Sequence, residues 1–186
     1  MLLNMVRVAA VTGLKKSGKT TVLEHLVKEL TEKGKRVATV KFTHHMEQEF
    51  SFDIEGKDTF RHRKAGAFFV VATSGVETVL IIRHSELERK RIDNLLSFLP
   101  EKVDYLLCEG LPEQEKSKGI PEIVCLKSTE SWQETKKVRG DLNILAFSGI
   151  FANEIKEFKG FKVFNVFEKE EVEALAELVE RRSKKV

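Results

Sequence analysis

The chain has 186 residues, enough for one domain with a substantial core. Its 32 Lys and Arg nearly balance its 29 Asp and Glu, and the resulting charge of +3 is too even to argue for nucleic acid or an acidic membrane surface. The two cysteines, Cys108 and Cys125, sit in separate apolar runs outside any C-x-x-C pair, which argues against a disulfide framework or a zinc site.

No stretch approaches the ~18 apolar residues of a membrane span, and the start lacks a basic leader pattern. A soluble, cytoplasmic protein is expected. Charged residues make up 33% of the chain, a share that fits either a thermophile surface or a well-solvated one.

In chain order, Val6–Val11 is a short apolar strand, and Gly13-Leu14-Lys15-Lys16-Ser17-Gly18-Lys19-Thr20 follows it. Then Thr21–Leu30 carries apolar residues at 22, 23, 26, 27 and 30, the spacing of one helix face. After Gly34, Arg36–Lys41 supplies a second strand, and Phe42–Gly56 lacks periodicity and reads as a loop. Lys57–Ala65 suits a short helix that stops at Gly66. Ala67–Thr73 and Val76–Arg83 read as strands joined by a turn at Ser74-Gly75.

A helix with Leu87, Ile92, Leu95, Leu96 and Leu99 inward should end at Pro100, and Val103–Cys108 is again a strand. Glu113–Gly119 reads as a flexible loop, Ile120–Leu126 and Leu142–Phe147 as later strands, and Glu170–Arg181 as a final amphipathic helix before a basic tail. Strands alternating with helices predict an α/β fold of the P-loop NTPase type. It is a single three-layer domain over 1–186, with a mostly parallel sheet and helices on both faces.

Residues 13–20 satisfy G-x-x-x-x-G-K-[ST] between a strand and a helix. Glycines let successive backbone N–H groups turn toward a phosphate, and the helix N-terminus adds a positive dipole end. Gly13 to Thr20, with Thr21, are therefore expected to bind a nucleoside triphosphate. Lys19 would reach the β/γ-phosphates, and the Thr20 hydroxyl would ligate Mg²⁺. An ordinary glycine turn is the alternative.

A carboxylate near that metal should stand at the carboxyl end of a strand. Glu109 is at that edge. Asp104, about 16 Å away at ~3.3 Å per residue, reads as a surface residue at the strand start. The loop after the second strand leaves from the same edge and holds Thr43, His44, His45 and Asp53. Asp53 is its acidic candidate, while Lys57, Arg61 and Arg63 suit either an anion site or a solvated basic helix. The spacing of His44, His45 and His62 matches no zinc pattern. Trp132, Phe161 and Phe164 read as packing residues.

These pieces together resemble the MobB family, molybdopterin-guanine dinucleotide biosynthesis protein B. The glycine loop comes first, and Thr43-His44-His45 follows the second strand. Asp53 to Ala67 matches the D-x-x-G-K-D-[ST]-x-R-H-R-x-A-G-A signature, and Asp104 to Gly110 matches an apolar strand ending in Glu-Gly. The resemblance covers Val6 to about Leu126.

It implies a homodimeric GTP-binding protein with weak GTPase activity, assisting a guanylyltransferase partner that joins GMP to molybdopterin. It also implies Lys19, Asp53 and Glu109 as the catalytic set, with Thr20, Asp53 and Glu109 about the metal. His44, His45, Lys57, Arg61 and His62 would contact nucleotide, cofactor or an anion. Leu111-Pro112 stands where the family commonly has an aromatic residue and a lysine, and Glu122 replaces a common lysine. The guanine-reading N-K-x-D motif is absent, so the preference for GTP rests on the resemblance. A small-molecule kinase using ATP or GTP is the alternative, and a nucleotide-gated adaptor a third reading.

Overall fold

The computed structural model describes residues 5–43, 53–82 and 92–186. The chain forms two compact units, one from the residues up to Phe42 together with Arg91–Val186, the other from Thr43–Lys90.

In the larger unit, the first strand sets the layers. β1 (Arg7–Gly13) sends Val8 and Ala10 to one core and Ala9 and Val11 to another, because successive strand residues face opposite ways. Being buried on both faces, it reads as a continuous apolar run. β2 (Val37–Lys41), β5 (Tyr105–Glu109), β1, β6 (Glu122–Leu126) and β7 (Ile144–Gly149) lie side by side in that order, all parallel. β10 (Lys184–Lys185) pairs antiparallel with Arg7 and Val8, the part of the β1 edge that β6 leaves open by pairing only from Ala10 onward. The sequence-expected basic tail is thus partly a strand.

α1 (Lys19–Glu32) and α5 (Lys169–Arg182) cover one face. Leu26 and Leu30 of α1 and Leu175 and Val179 of α5 pack with Ala9, Leu107 and Ile123 of the sheet, all at or near zero exposure. Each such fully buried side chain contributes about 1.5–3 kcal/mol. α3 (Ile92–Leu96) packs on the other face against Val8, Leu106 and Cys108. Farther along that face, α4 (Ser131–Arg139) brings Trp132 against Phe147, edge to face at 5.5 Å, beside Phe158 and Phe161 of the small hairpin β8 (Glu157–Phe158) and β9 (Phe161–Lys162). Trp132, Phe161 and Phe164 are packing residues, as expected.

Besides the tail strand and the β8–β9 hairpin, two segments differ from the sequence reading. α4 was not foreseen, because two of its inward positions, Thr135 and Arg139, are polar and hide the helical period. Arg139 is accommodated by an ion pair to buried Glu122 at 3.4 Å. Glu113–Gly119 is not a loop but a 3-10 helix over Glu113–Lys118. Its Glu115 turns inward to zero exposure and is paired with Lys118 at 2.9 Å, which in turn reaches Asp93 of α3 at 2.6 Å. A carboxylate buried with its cation supplies the anchor that a polar sequence conceals.

The smaller unit contains α2 (Asp58–Lys64) and an antiparallel hairpin, β3 (Phe69–Thr73) with β4 (Thr78–Ile82). Its turn is closed by Ser74, whose N–H donates to the Glu77 carbonyl at 2.8 Å and whose hydroxyl accepts from the Val76 and Glu77 N–H groups. Val70 is buried. Among the described residues, no helix is long and apolar enough to cross a membrane.

Candidate functional site

The sheet order turns at β1, with β5 and β2 on one side and β6 and β7 on the other. Such a reversal opens a crevice beyond the carboxyl ends of the strands. Residues 13–20 span that edge between β1 and α1.

Two glycines are required by contact. A Cβ on Gly13, at φ +140°, would lie 2.2 Å from the Cys125 carbonyl oxygen of its β6 neighbour. A Cβ on Gly149, at φ +105°, would lie 2.5 Å from the Ser17 carbonyl oxygen and 2.7 Å from that of Leu126. The loop is therefore clamped by backbone from β6 and β7. Within it Lys16 adopts a left-handed conformation at φ +60°. Gly18 begins α1 with no side-chain cap, and the first turn carries no acid. The first N–H groups of the helix are left to the loop, the arrangement that suits an anion.

Inside the loop, Lys19 Nζ donates to the Leu14 carbonyl at 2.6 Å. Burial holds its ammonium below the ordinary lysine range, against the opposing pull of Cys125 and Glu109. The Ser17 and Thr12 hydroxyls are buried, at 1% and 0% exposure, and find no hydrogen-bond partner among the described residues. Buried hydroxyls normally have partners, so these two fit a ligand oxygen or water. Lys15 and Lys16 are exposed at the rim, and Thr21 is half-buried.

Thr20 and Glu109 are brought together by the fold. The Thr20 hydroxyl donates to Glu109 Oε2 at 3.1 Å. Glu109 is 8% exposed, and its Oε1 faces Lys41 Nζ at 3.1 Å. Sequence reasoning missed Lys41. It is the register partner of Glu109 across the β2–β5 pair, and that pairing becomes visible only once β2 is known to lie beside β5. Asp104 immediately precedes the same strand at its far end, where it accepts from the Arg36 N–H at 2.8 Å. Both cysteines are buried and free, and burial pushes their thiols up to about 12, which favours the neutral thiol over the thiolate.

The other expected residues belong to the smaller unit. Asp53 Oδ1 accepts from the Thr59 hydroxyl at 2.7 Å, and its Oδ2 pairs with Arg63 Nε at 3.2 Å. Lys57, Arg61 and His62 are exposed, and Arg61 pairs with Asp58 at 3.5 Å. His44 and His45 lie outside the described residues.

The Mg²⁺ expectation can be tested against these donors. Among the described residues no group of three His, Cys, Asp or Glu side chains could hold a metal. One hydroxyl beside one carboxylate is nevertheless the set that Mg²⁺ uses when phosphates and waters complete its shell. Thr20 and Glu109 fit it.

A parallel sheet with helices on both faces, and a strand, glycine loop and helix at its carboxyl edge, define an α/β protein of the P-loop type. The model of the family described as MobB, Molybdopterin guanine dinucleotide synthesis protein B, matches residues 8–148. The chain belongs to that family. A protein of Methanocaldococcus jannaschii is 35% identical over 125 residues, 67% of this chain and 49% of that protein. The molybdopterin-guanine dinucleotide biosynthesis adapter protein of Haemophilus influenzae is 31% identical over 132 residues, covering 64% of this chain and 71% of its own. The match thus spans about half the length of the archaeal relative. A crystal structure of molybdopterin-guanine biosynthesis protein B superposes with a TM-score of 0.66 at 27% identity, over 94% of this chain and 97% of that one. Bacillus subtilis MobB shares the fold at a TM-score of 0.69 and 24% identity, over 92% and 97%.

Proposed function

We propose that this protein binds GTP with Mg²⁺ on the Gly13–Thr20 loop, hydrolyses it slowly, and assists molybdopterin guanine dinucleotide biosynthesis as an accessory to a guanylyltransferase. The observation that carries this reading is the Thr20–Glu109 hydrogen bond beside the buried hydroxyls of Ser17 in the loop and Thr12 at the end of β1, which find no partner among the described residues. Thr20 and Glu109 would hold Mg²⁺, which when bound offsets phosphate charge. Lys19 lies inside the same loop, where its ammonium would let go of the Leu14 carbonyl and stabilise the charge on the β/γ-phosphates. The Glu109 carboxylate can accept a hydrogen bond from the attacking water and orient it.

Asp53, held by Thr59 and Arg63 within the smaller unit, is proposed as a further carboxylate of the catalytic and metal-binding set. His44, His45, Lys57, Arg61 and His62 are proposed contacts for an anionic cofactor or partner, and the active form is proposed to be a homodimer. Family membership supports the pathway, and the loop chemistry supports the nucleotide.

Titration of the protein with GTP and ATP, with and without Mg²⁺, followed by phosphate release, tests the reading. The expected result is tighter GTP binding, strengthened by Mg²⁺, with slow turnover. Tighter ATP binding with phosphorylation of an added acceptor would overturn it.

A further inference from the structure

The triphosphate end of the site has a direction. Thr20, Glu109 and Lys41 gather on the β5–β2 side of β1, where a hydroxyl, a carboxylate and an ammonium suit metal and terminal phosphate. A nucleotide that puts its terminal phosphate there and runs along the glycine loop away from it brings its nucleoside over the opposite side, above β6 and β7.

Two large apolar side chains stand exposed at that edge. Ile150 follows directly on Gly149 and is 55% exposed. Its backbone adjoins the glycine loop, since a Cβ on Gly18 would lie 3.3 Å from Gly149 Cα and 3.5 Å from the Ile150 nitrogen. Phe167 is 71% exposed and leaves the same edge, because Val163 bridges Phe147 of β7 in parallel and the chain runs on from there.

The Phe167 ring is also held in place. It meets His25 of α1 edge to face at 5.7 Å, and its N–H donates to Asn165 Oδ1 at 3.1 Å. The ring packs by one edge on His25 and leaves most of its surface, 71%, to solvent beside the phosphate helix. That open surface suits a planar base.

We propose that Phe167 and Ile150 form the nucleobase platform of the site, with Phe167 stacking on the face of a purine. The proposal rests on the nucleotide reading above. Stacking is sequence-tolerant, since every base has a π-face, and this accounts for a purine site in a chain without N-K-x-D.

The experiment compares GTP, ATP and inorganic tripolyphosphate binding by calorimetry on the wild-type chain, Phe167→Ala, Phe167→Trp and Ile150→Ala. Phe167→Ala should weaken GTP and ATP alike, about tenfold, and leave tripolyphosphate unchanged. Phe167→Trp should restore binding, and Ile150→Ala should weaken both nucleotides about threefold by removing apolar contact. Unchanged nucleotide affinity in Phe167→Ala overturns the platform, as does an equal loss for tripolyphosphate. A wild-type chain that binds neither nucleotide nor tripolyphosphate overturns the phosphate cradle and the platform with it, whereas a wild-type chain that binds tripolyphosphate as tightly as GTP and ATP overturns the platform alone.

Discussion

Both units hold a carboxylate between a threonine hydroxyl and a cation, and they do so by opposite means. In the smaller unit, Asp53 takes Thr59 and Arg63, only six and ten residues further along, so the triad staples α2 to the turn before it. In the larger unit, Glu109 takes Thr20 from 89 residues away and Lys41 from a neighbouring strand. The first triad can form as soon as α2 forms. The second exists only when β2, β5 and the start of α1 are all in place. A carboxylate assembled by distant elements at a sheet edge is poised for a ligand, whereas one satisfied by its own helix is first of all a structural tie.

That contrast can be broken or sharpened. The largest effect is expected at Gly13→Ala, where a Cβ meets the Cys125 carbonyl and φ is left-handed. Overpacking and strain of this kind cost about 2–4 kcal/mol, which should appear as a lower denaturation midpoint together with lost nucleotide binding. Lys19→Ala should leave the midpoint nearly unchanged but lower triphosphate affinity about a hundredfold, read by calorimetry. Retained affinity would remove Lys19 from the phosphate site.

Next, Glu109→Gln and Asp53→Asn separate the two triads. The first should raise the Mg²⁺ concentration needed for turnover about tenfold with little loss of nucleotide affinity. The second should weaken hydrogen-exchange protection in α2 by about 1–2 kcal/mol, with a smaller effect on the Mg²⁺ requirement. Equal Mg²⁺ effects would put both carboxylates at the metal.

Lys41→Met removes a cation that competes with Mg²⁺ for Glu109. The Mg²⁺ half-saturation should fall about threefold at low salt, and less at high salt because the ammonium is solvent-exposed. The smallest effect is with pH. Burial lowers the Lys19 pKa in the free protein, and a bound phosphate would raise it, so binding takes up a proton in the intervening range. Affinity should be full below the free-protein pKa and decline as pH rises through it. Lys19→Ala should abolish that slope.

Much of this was legible in the sequence for a physical reason. Strands buried on both faces, such as Leu106–Cys108, must read as apolar runs, and the glycine loop needs its residues at fixed offsets. Glu109 could be placed at the site because strand direction decides which end of a parallel sheet faces the ligand. Lys41 could not, since strand order is a property of the whole sheet. α4 and the 3-10 helix at Glu113–Lys118 were hidden because their inward residues are polar and paired, Arg139 with Glu122 and Lys118 with Glu115. Phe167 escaped notice because exposure, and not its identity, is what makes it unusual.

The clamp on the loop from Cys125 and Gly149 has a consequence in time. A cradle pressed on two sides by backbone has little room to open, so its N–H groups are aimed before any anion arrives. Ordering on capture is then slight, and the encounter should be governed by diffusion and charge, with one kinetic phase and no slow isomerisation after contact.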